Sequence, residues 1–182
     1  MKTIVKHKSQ RVGVFVDVQN MYYSARQVYQ QKTNFTEILK RAVAGRQLIR
    51  ALAYVIRADI EEEKGFFDAL TKIGYEIRAK DLQIFYGGAK KGDWDVGIAM
   101  DLIRMAPKLD TIVLVSGDGD FTDLVKYVKS MGCRLEVMSF RKTASKLLVD
   151  EADEFTPLDD KAFLIPQKFK PRPKPGGGSA PA

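Results

Sequence analysis

Two runs of apolar, largely β-branched residues each end in a short acid-bearing turn. Thr111-Ile-Val-Leu-Val115 enters Ser116-Gly-Asp118-Gly-Asp120-Phe121, and Val12-Gly-Val-Phe-Val16 enters Asp17-Val-Gln-Asn20. A strand without polar alternation is buried on both faces, which is the habit of parallel sheets covered by helices on either side. Acids at the carboxyl ends of such strands stand where open α/β sheets bind ligands.

Further segments alternate in the same way, which predicts an α/β fold with a mostly parallel sheet. Strands are expected at 49–56 and 134–139, with weaker ones at 75–78 and 83–86. Helices are expected at 20–30, 36–43, from a cap at Asp59 to Gly74, and at 93–105, 121–131 and 142–149. Gly87, Gly88 and Gly92 mark a flexible loop. The pattern fades after Pro157, and the Pro/Lys-rich, then Gly-rich end is expected to be disordered. These features divide the chain into a basic N-terminal tail (1–10), one domain (11–160) and a disordered basic tail (161–182).

The net charge is +7. Of 30 basic and 23 acidic residues, nine basic and two acidic ones lie outside 12–158, so that stretch is neutral and the ends carry the excess. Basic ends favour polyanions without reading their sequence, which points to nucleic acid. No apolar run approaches the ~20 residues of a membrane span, and the N-terminus lacks the apolar stretch of a signal peptide. Cys133 is the single cysteine. An intramolecular disulfide is therefore excluded, and a reducing cytoplasm is the expected location.

Carboxylates converging without Cys or His nearby suit a hard cation, Mg2+ or Mn2+, of the kind that serves phosphate chemistry. Asp17 is a candidate ligand. Asn20 either caps the following helix or orients Asp17 and contacts a phosphate. Asp120 and Asp123 have capping-box spacing, which accounts for Asp120 and leaves Asp118 for another role. Ser116 is placed to donate to a metal-bound water or a phosphate, and Lys91 to hold a phosphate. Asp93 is the expected N-cap of the 93–105 helix and Trp94 a buried anchor. Asp95, in the first turn of that helix, is favoured for the metal. Asp101 follows about 600° of rotation and ~9 Å of rise later. It is therefore expected to support the ligands from behind or to pair with a base. No Ser-His-Asp or Cys-His set can be assembled, and neither a dinucleotide fingerprint nor a Walker A sequence occurs.

Phe15-Val-Asp17-Val-Gln-Asn20, Lys91-Gly-Asp-Trp-Asp95-Val with Asp101 downstream, and Ser116-Gly-Asp118-Gly-Asp120-Phe121 together resemble the NYN domain, a PIN-like nuclease family, in its LabA-like branch. Leu147 through Asp153-Glu-Phe155 adds weaker support. The resemblance spans about residues 11–158. It implies a three-layer α/β/α sandwich and an acidic pocket holding a divalent ion at Asp17, Asp95, Asp118 and Asp120. It also implies cleavage of RNA, with Asn20 and Asp101 at matching positions. The expected activity is a Mg2+- or Mn2+-dependent ribonuclease acting on single-stranded RNA. The rival is a non-catalytic regulator on the same fold that binds nucleic acid or protein; a homo-oligomer is compatible with either.

Overall fold

Val12, Val14 and Val16 face one side of their strand and Phe15 the other, and none is exposed. Such a strand needs a helical layer on each side. The computed structural model describes residues 6–57, 60–84 and 90–166 and shows both layers. The elements are β1 (Arg11–Asp17), α1 (Val18–Tyr29), β2 (Lys32–Thr33), α2 (Phe35–Val43), β3 (Gln47–Arg57) and α3 (Ile60–Ile73). There follow β4 (Glu76–Asp81), β5 (Gln83–Ile84), β6 (Lys90–Lys91), α4 (Asp95–Met105), β7 (Thr111–Val115) and α5 (Thr122–Ser130). The last are β8 (Arg134–Ser139), α6 (Lys146–Glu151), β9 (Glu154–Pro157) and β10 (Leu164–Ile165).

Six strands form one parallel sheet in the order β4-β3-β1-β7-β8-β9. Met21 and Ala25 of α1, Ile38 of α2 and Leu70 of α3 meet Val14, Val16, Ala53 and Val113 on one face. Ile98 and Leu102 of α4, Val125 and Val128 of α5 and Leu148 of α6 meet Phe15, Leu52, Leu114 and Val137 on the other. The expected three-layer α/β/α sandwich is therefore the observed fold. Among the described residues, no helix is long and apolar enough to cross a membrane.

Several boundaries differ from expectation. The last helix starts at Lys146 rather than 142, because Phe140–Ser145 forms a turn. Thr143 and Ala144 donate to the Phe140 carbonyl, and Ser145 N–H donates to the Gly117 carbonyl at 2.9 Å. The loop is thereby fastened to the turn after β7. The short strands β2, β9 and β10 were not expected. The basic tail does not begin at 161: Phe163 is buried, and Leu164–Ile165 pairs antiparallel with Lys32–Thr33. At the other end, Lys6 reaches Glu154 at 2.8 Å and Glu136 at 3.3 Å, and Arg11 pairs with Asp110. Those two charges thus belong to the fold. The expected cap at Asp59, the glycines at 87 and 88, and residues 167–182 lie outside the described residues.

One ion pair is fully enclosed. Arg46, whose side chain is inaccessible, donates twice to Glu136 at 2.8 and 2.9 Å and to the carbonyls of Ala42 and Val43. Burial works against the Glu136 carboxylate, but the Arg46 bonds prevail and hold it below the usual carboxylate range. Removing one partner of such a pair strands the other charge. Arg46→Met should lower unfolding free energy by about 3–5 kcal/mol in urea denaturation, and Arg46→Met with Glu136→Leu should recover much of it. Loss below ~1 kcal/mol in the single variant would mean that Lys6 and Arg134 suffice for Glu136.

Candidate active site

The sheet order places a topological switch between β1 and β7. From β1 the chain steps outward to β3 and β4, then returns through α4 to β7 on the other side of β1. The helices change face at that return, and the crevice beyond the carboxyl ends of β1 and β7 stays uncovered. Asp17 is the last residue of β1, and Ser116–Asp120 directly follows β7.

Hydrogen bonds lock these two turns together. Asp17 is the N-cap of α1, its Oδ1 accepting from Asn20 N–H at 3.0 Å. Asn20 Oδ1 accepts from Gly117 N–H at 3.0 Å. Ser116 is fully buried; its hydroxyl donates to Asp17 Oδ2 at 3.4 Å and accepts from Asp118 N–H at 3.2 Å. Gly117 is required for this contact: a Cβ there would lie 2.6 Å from Ser139 Oγ and 3.0 Å from Ala144 Cα. Asp118 Oδ1 accepts from Asp120 N–H at 3.0 Å and caps the short 3-10 turn Gly119–Phe121.

One carboxylate oxygen from each of Asp95, Asp118 and Asp120 lies within 4.8 Å of the others. Asp17 stands beside this trio, close enough for Asp95 and Asp118 to raise its proton affinity. Burial is the larger cause, and together they push the Asp17 carboxyl up to about 6 against the stabilising bonds from Asn20 and Ser116. Asp95 is also raised, first by burial, then by Asp118, Asp93 and Asp120. An all-oxygen donor set with mutually repelling charges fits a hard divalent cation. The four expected ligand residues are thus brought to one end of the sheet.

The other expected residues take different places. Asp120 was the expected cap and Asp118 the free acid; the structure exchanges them, because the cap belongs to the residue before the 3-10 turn. Asp93 does not cap α4. The N-cap is Trp94, which makes no side-chain cap bond and whose indole N–H donates to the Val55 carbonyl at 2.8 Å. Asp101 accepts from the Tyr54 hydroxyl at 2.9 Å, which ties α4 to β3 rather than to the carboxylate trio. Ser116 does not reach toward a substrate, since both roles of its hydroxyl are taken by the acidic turns. Asn20 caps nothing with its side chain but bridges the two turns. The side chain of Lys91 lies outside what the structure describes.

A groove not foreseen from the sequence adjoins the cluster. Asp17 and Asp118 line it together with Gln19, Asn20, Tyr23, Ser24, Gln27 and Thr143. The helical residues recur at the spacing of one face of α1, a pattern visible in principle but unremarkable beside the apolar face of the same helix.

The NYN domain family model matches residues 11–159. The "Low amplitude and bright protein LabA" of Synechococcus elongatus is 28% identical over 175 residues, which cover 90% of this chain and 91% of that protein. A crystal structure of a protein of unknown function from Vibrio parahaemolyticus superposes with a TM-score of 0.81 at 33% identity, covering 89% of this chain and 100% of that one.

Asp17 binds its proton more tightly when folded than when unfolded, where it titrates near ~4. Folding therefore favours the neutral acid. In chelator, stability is fullest below pH ~4 as far as Asp17 is concerned and falls as pH rises through about 6, by at most roughly 3 kcal/mol. Asp17→Asn has no proton to lose. Thermal melting between pH 4 and 7.5 should show a shallower decline for that variant; parallel profiles would mean that Asp17 does not carry the strain.

Proposed function

From the premise that the chain belongs to the NYN domain family, LabA-like and of PIN-like nuclease fold, we propose that it is a divalent-metal-dependent ribonuclease acting at the carboxylate cluster. The observation that carries this reading is the trio Asp95, Asp118 and Asp120 within 4.8 Å, with Asp17 alongside, at the switch point of the sheet. Asp17, Asp95, Asp118 and Asp120 would hold Mg2+ or Mn2+. Held there, such an ion would supply positive charge for a scissile phosphate and would lower the pKa of a bound water. Without it, the acids repel a phosphodiester.

The chain's own contribution is positioning. Ser116 and Asn20 fix the two turns at a constant separation, so the carboxylates need no rearrangement on binding. Backbone N–H donors from Asn20 and Asp120 hold Asp17 and Asp118 in single orientations. Lys142 and Lys146, exposed on the turn and helix start that follow β8, are available to draw the strand's phosphates toward the crevice.

The test is cleavage of labelled single-stranded RNA in Mg2+, Mn2+ and chelator. Cleavage should require the metal. Asp118→Asn should reduce it by ~100-fold or more, the scale of losing one electrostatic stabiliser, and shrink the rise in melting temperature on adding metal. Metal-dependent binding of RNA without cleavage would favour the non-catalytic module instead.

The four basic residues after Pro166, Lys168, Lys170, Arg172 and Lys174, should contribute salt-dependent affinity only. A chain ending at Pro166 keeps Phe163 and Leu164 in the core. It should bind RNA more weakly and with a flatter dependence on log salt concentration, by about 0.7 in slope per lost phosphate contact. Equal slopes in a salt titration of both chains would show that the terminal charges do not touch the strand.

A further inference from the structure

The groove beside the carboxylates has a composition that phosphate binding does not explain. Its volume is about 340 Å³, which is within the range of small-ligand pockets. Apart from Asp17 and Asp118, its lining is uncharged: two glutamines, an asparagine, a serine, a threonine and a tyrosine. Amides and hydroxyls in such a wall match the edges of a nucleobase and the hydroxyls of a ribose. They offer no counter-charge to a phosphate.

Tyr23 is 57% exposed, the most exposed tyrosine among the described residues with large exposed apolar side chains. It is not loose. Tyr22 packs against it with ring centroids 5.6 Å apart and an interplanar angle of 75°. Arg26 in turn holds Tyr22, donating to its hydroxyl at 3.1 Å and lying 6.0 Å from its ring centroid. An exposed aromatic ring costs hydrophobic free energy in water, and this one is braced at the wall of a polar groove that opens on an acidic phosphodiester site. Gln19, Asn20, Tyr23, Ser24 and Gln27 extend that wall about 12 Å along α1.

Resting on the ribonuclease reading of the adjoining cluster, we propose that Tyr23 is a stacking platform for a nucleobase of single-stranded RNA, one residue away from the scissile linkage, with Gln19 and Gln27 bonding to the base edge. A base paired in a duplex has its faces covered and cannot use the platform. The groove thereby selects unpaired strands and seats the nucleotide that neighbours the carboxylates.

The experiment measures binding of fluorescein-labelled RNA to the full chain carrying Asp118→Asn, which keeps the probe intact, in Mg2+. The probes are a single-stranded octamer, an abasic sugar–phosphate oligomer of the same length, and a blunt RNA duplex. Adding Tyr23→Ala should weaken the octamer by roughly 5- to 100-fold, the loss of one stacked base. Tyr23→Phe should restore it to within about twofold, and Gln27→Ala should fall between. The abasic oligomer and the duplex should be indifferent to position 23. An unchanged octamer affinity in Tyr23→Ala, equal losses for the abasic oligomer, or no octamer binding before the Tyr23 change would each overturn the proposal. Melting temperatures of the variants should match, since position 23 is exposed. Cleavage of RNA by the unmodified chain is read separately, so a dead cleavage assay with intact base-dependent binding would sink the ribonuclease reading and leave the platform standing.

Discussion

Carboxylates held within 4.8 Å of one another repel, and a fold that keeps them there must supply the restraint. Here the restraint is a set of backbone and side-chain hydrogen bonds. Asp17 is pinned by the N–H of Asn20, Asp118 by the N–H of Asp120, and the two turns by Asn20 Oδ1 on Gly117 and Ser116 Oγ between Asp17 and Asp118. The N–H groups of Asn20 and Asp120 are ones that the first turn of a helix or 3-10 turn leaves without an internal partner. Asp17 and Asp118 thus serve as caps, Asp17 with both oxygens bonded and Asp118 with one. Burial first, and the neighbouring acids second, raise the proton affinities of Asp17 and Asp95.

The same restraint explains the loop after β8. Gly117 has no room for a Cβ because Ser139 and Ala144 close over it, and the Ser145 N–H bonds its carbonyl. The turn after β7 is therefore clamped from both sides, by α1 through Asn20 and by the Phe140–Ser145 turn. That second clamp brings Thr143 to the groove and leaves Lys142 and Lys146 exposed nearby. A sheet with another strand order would separate these pieces, since only the reversal between β1 and β7 leaves both carboxyl ends uncovered together.

The sheet was legible because its central strands are apolar on both faces, as Val12–Val16 and Thr111–Val115 show. The sequence also marked the acids, because two of them follow such strands directly and Asp95 opens a helix. What escaped has physical reasons. Strands β2 and β10 are two residues each and are made by pairing with one another, which no local pattern announces. Strand β9 has four partly buried residues on the sheet edge, too few for periodicity to register. Asp118 and Asp120 were exchanged because the capping-box spacing marks only Asp120 and Asp123, whereas a short 3-10 turn capped by Asp118 precedes the helix and has no such sequence mark. Ser116 was expected to donate to a metal-bound water or a phosphate, yet the position just after β7 is still buried and its hydroxyl bonds the two acidic turns. The wall of the groove escaped because its residues share α1 with Met21 and Ala25, whose apolar spacing dominates the reading of that helix.

These arrangements divide the labour of α1. Its inward face, with Val18, Met21 and Ala25, is fixed by the core. Its N-terminus is fixed by Asp17, and on its groove face Asn20 is tied to Gly117 and Ser24 is buried, which leaves Gln19, Tyr23 and Gln27 fixed by neither. A helix anchored at one end and along one stripe holds the remaining stripe rigid without constraining its identity. Gln19, Tyr23 and Gln27 on that stripe can therefore vary while Asn20 and the carboxylates keep their geometry. The placement of Tyr23 on it, braced by Tyr22 and Arg26 rather than by the core, makes this stripe the part of the crevice where substrate preference can change at little cost to the fold.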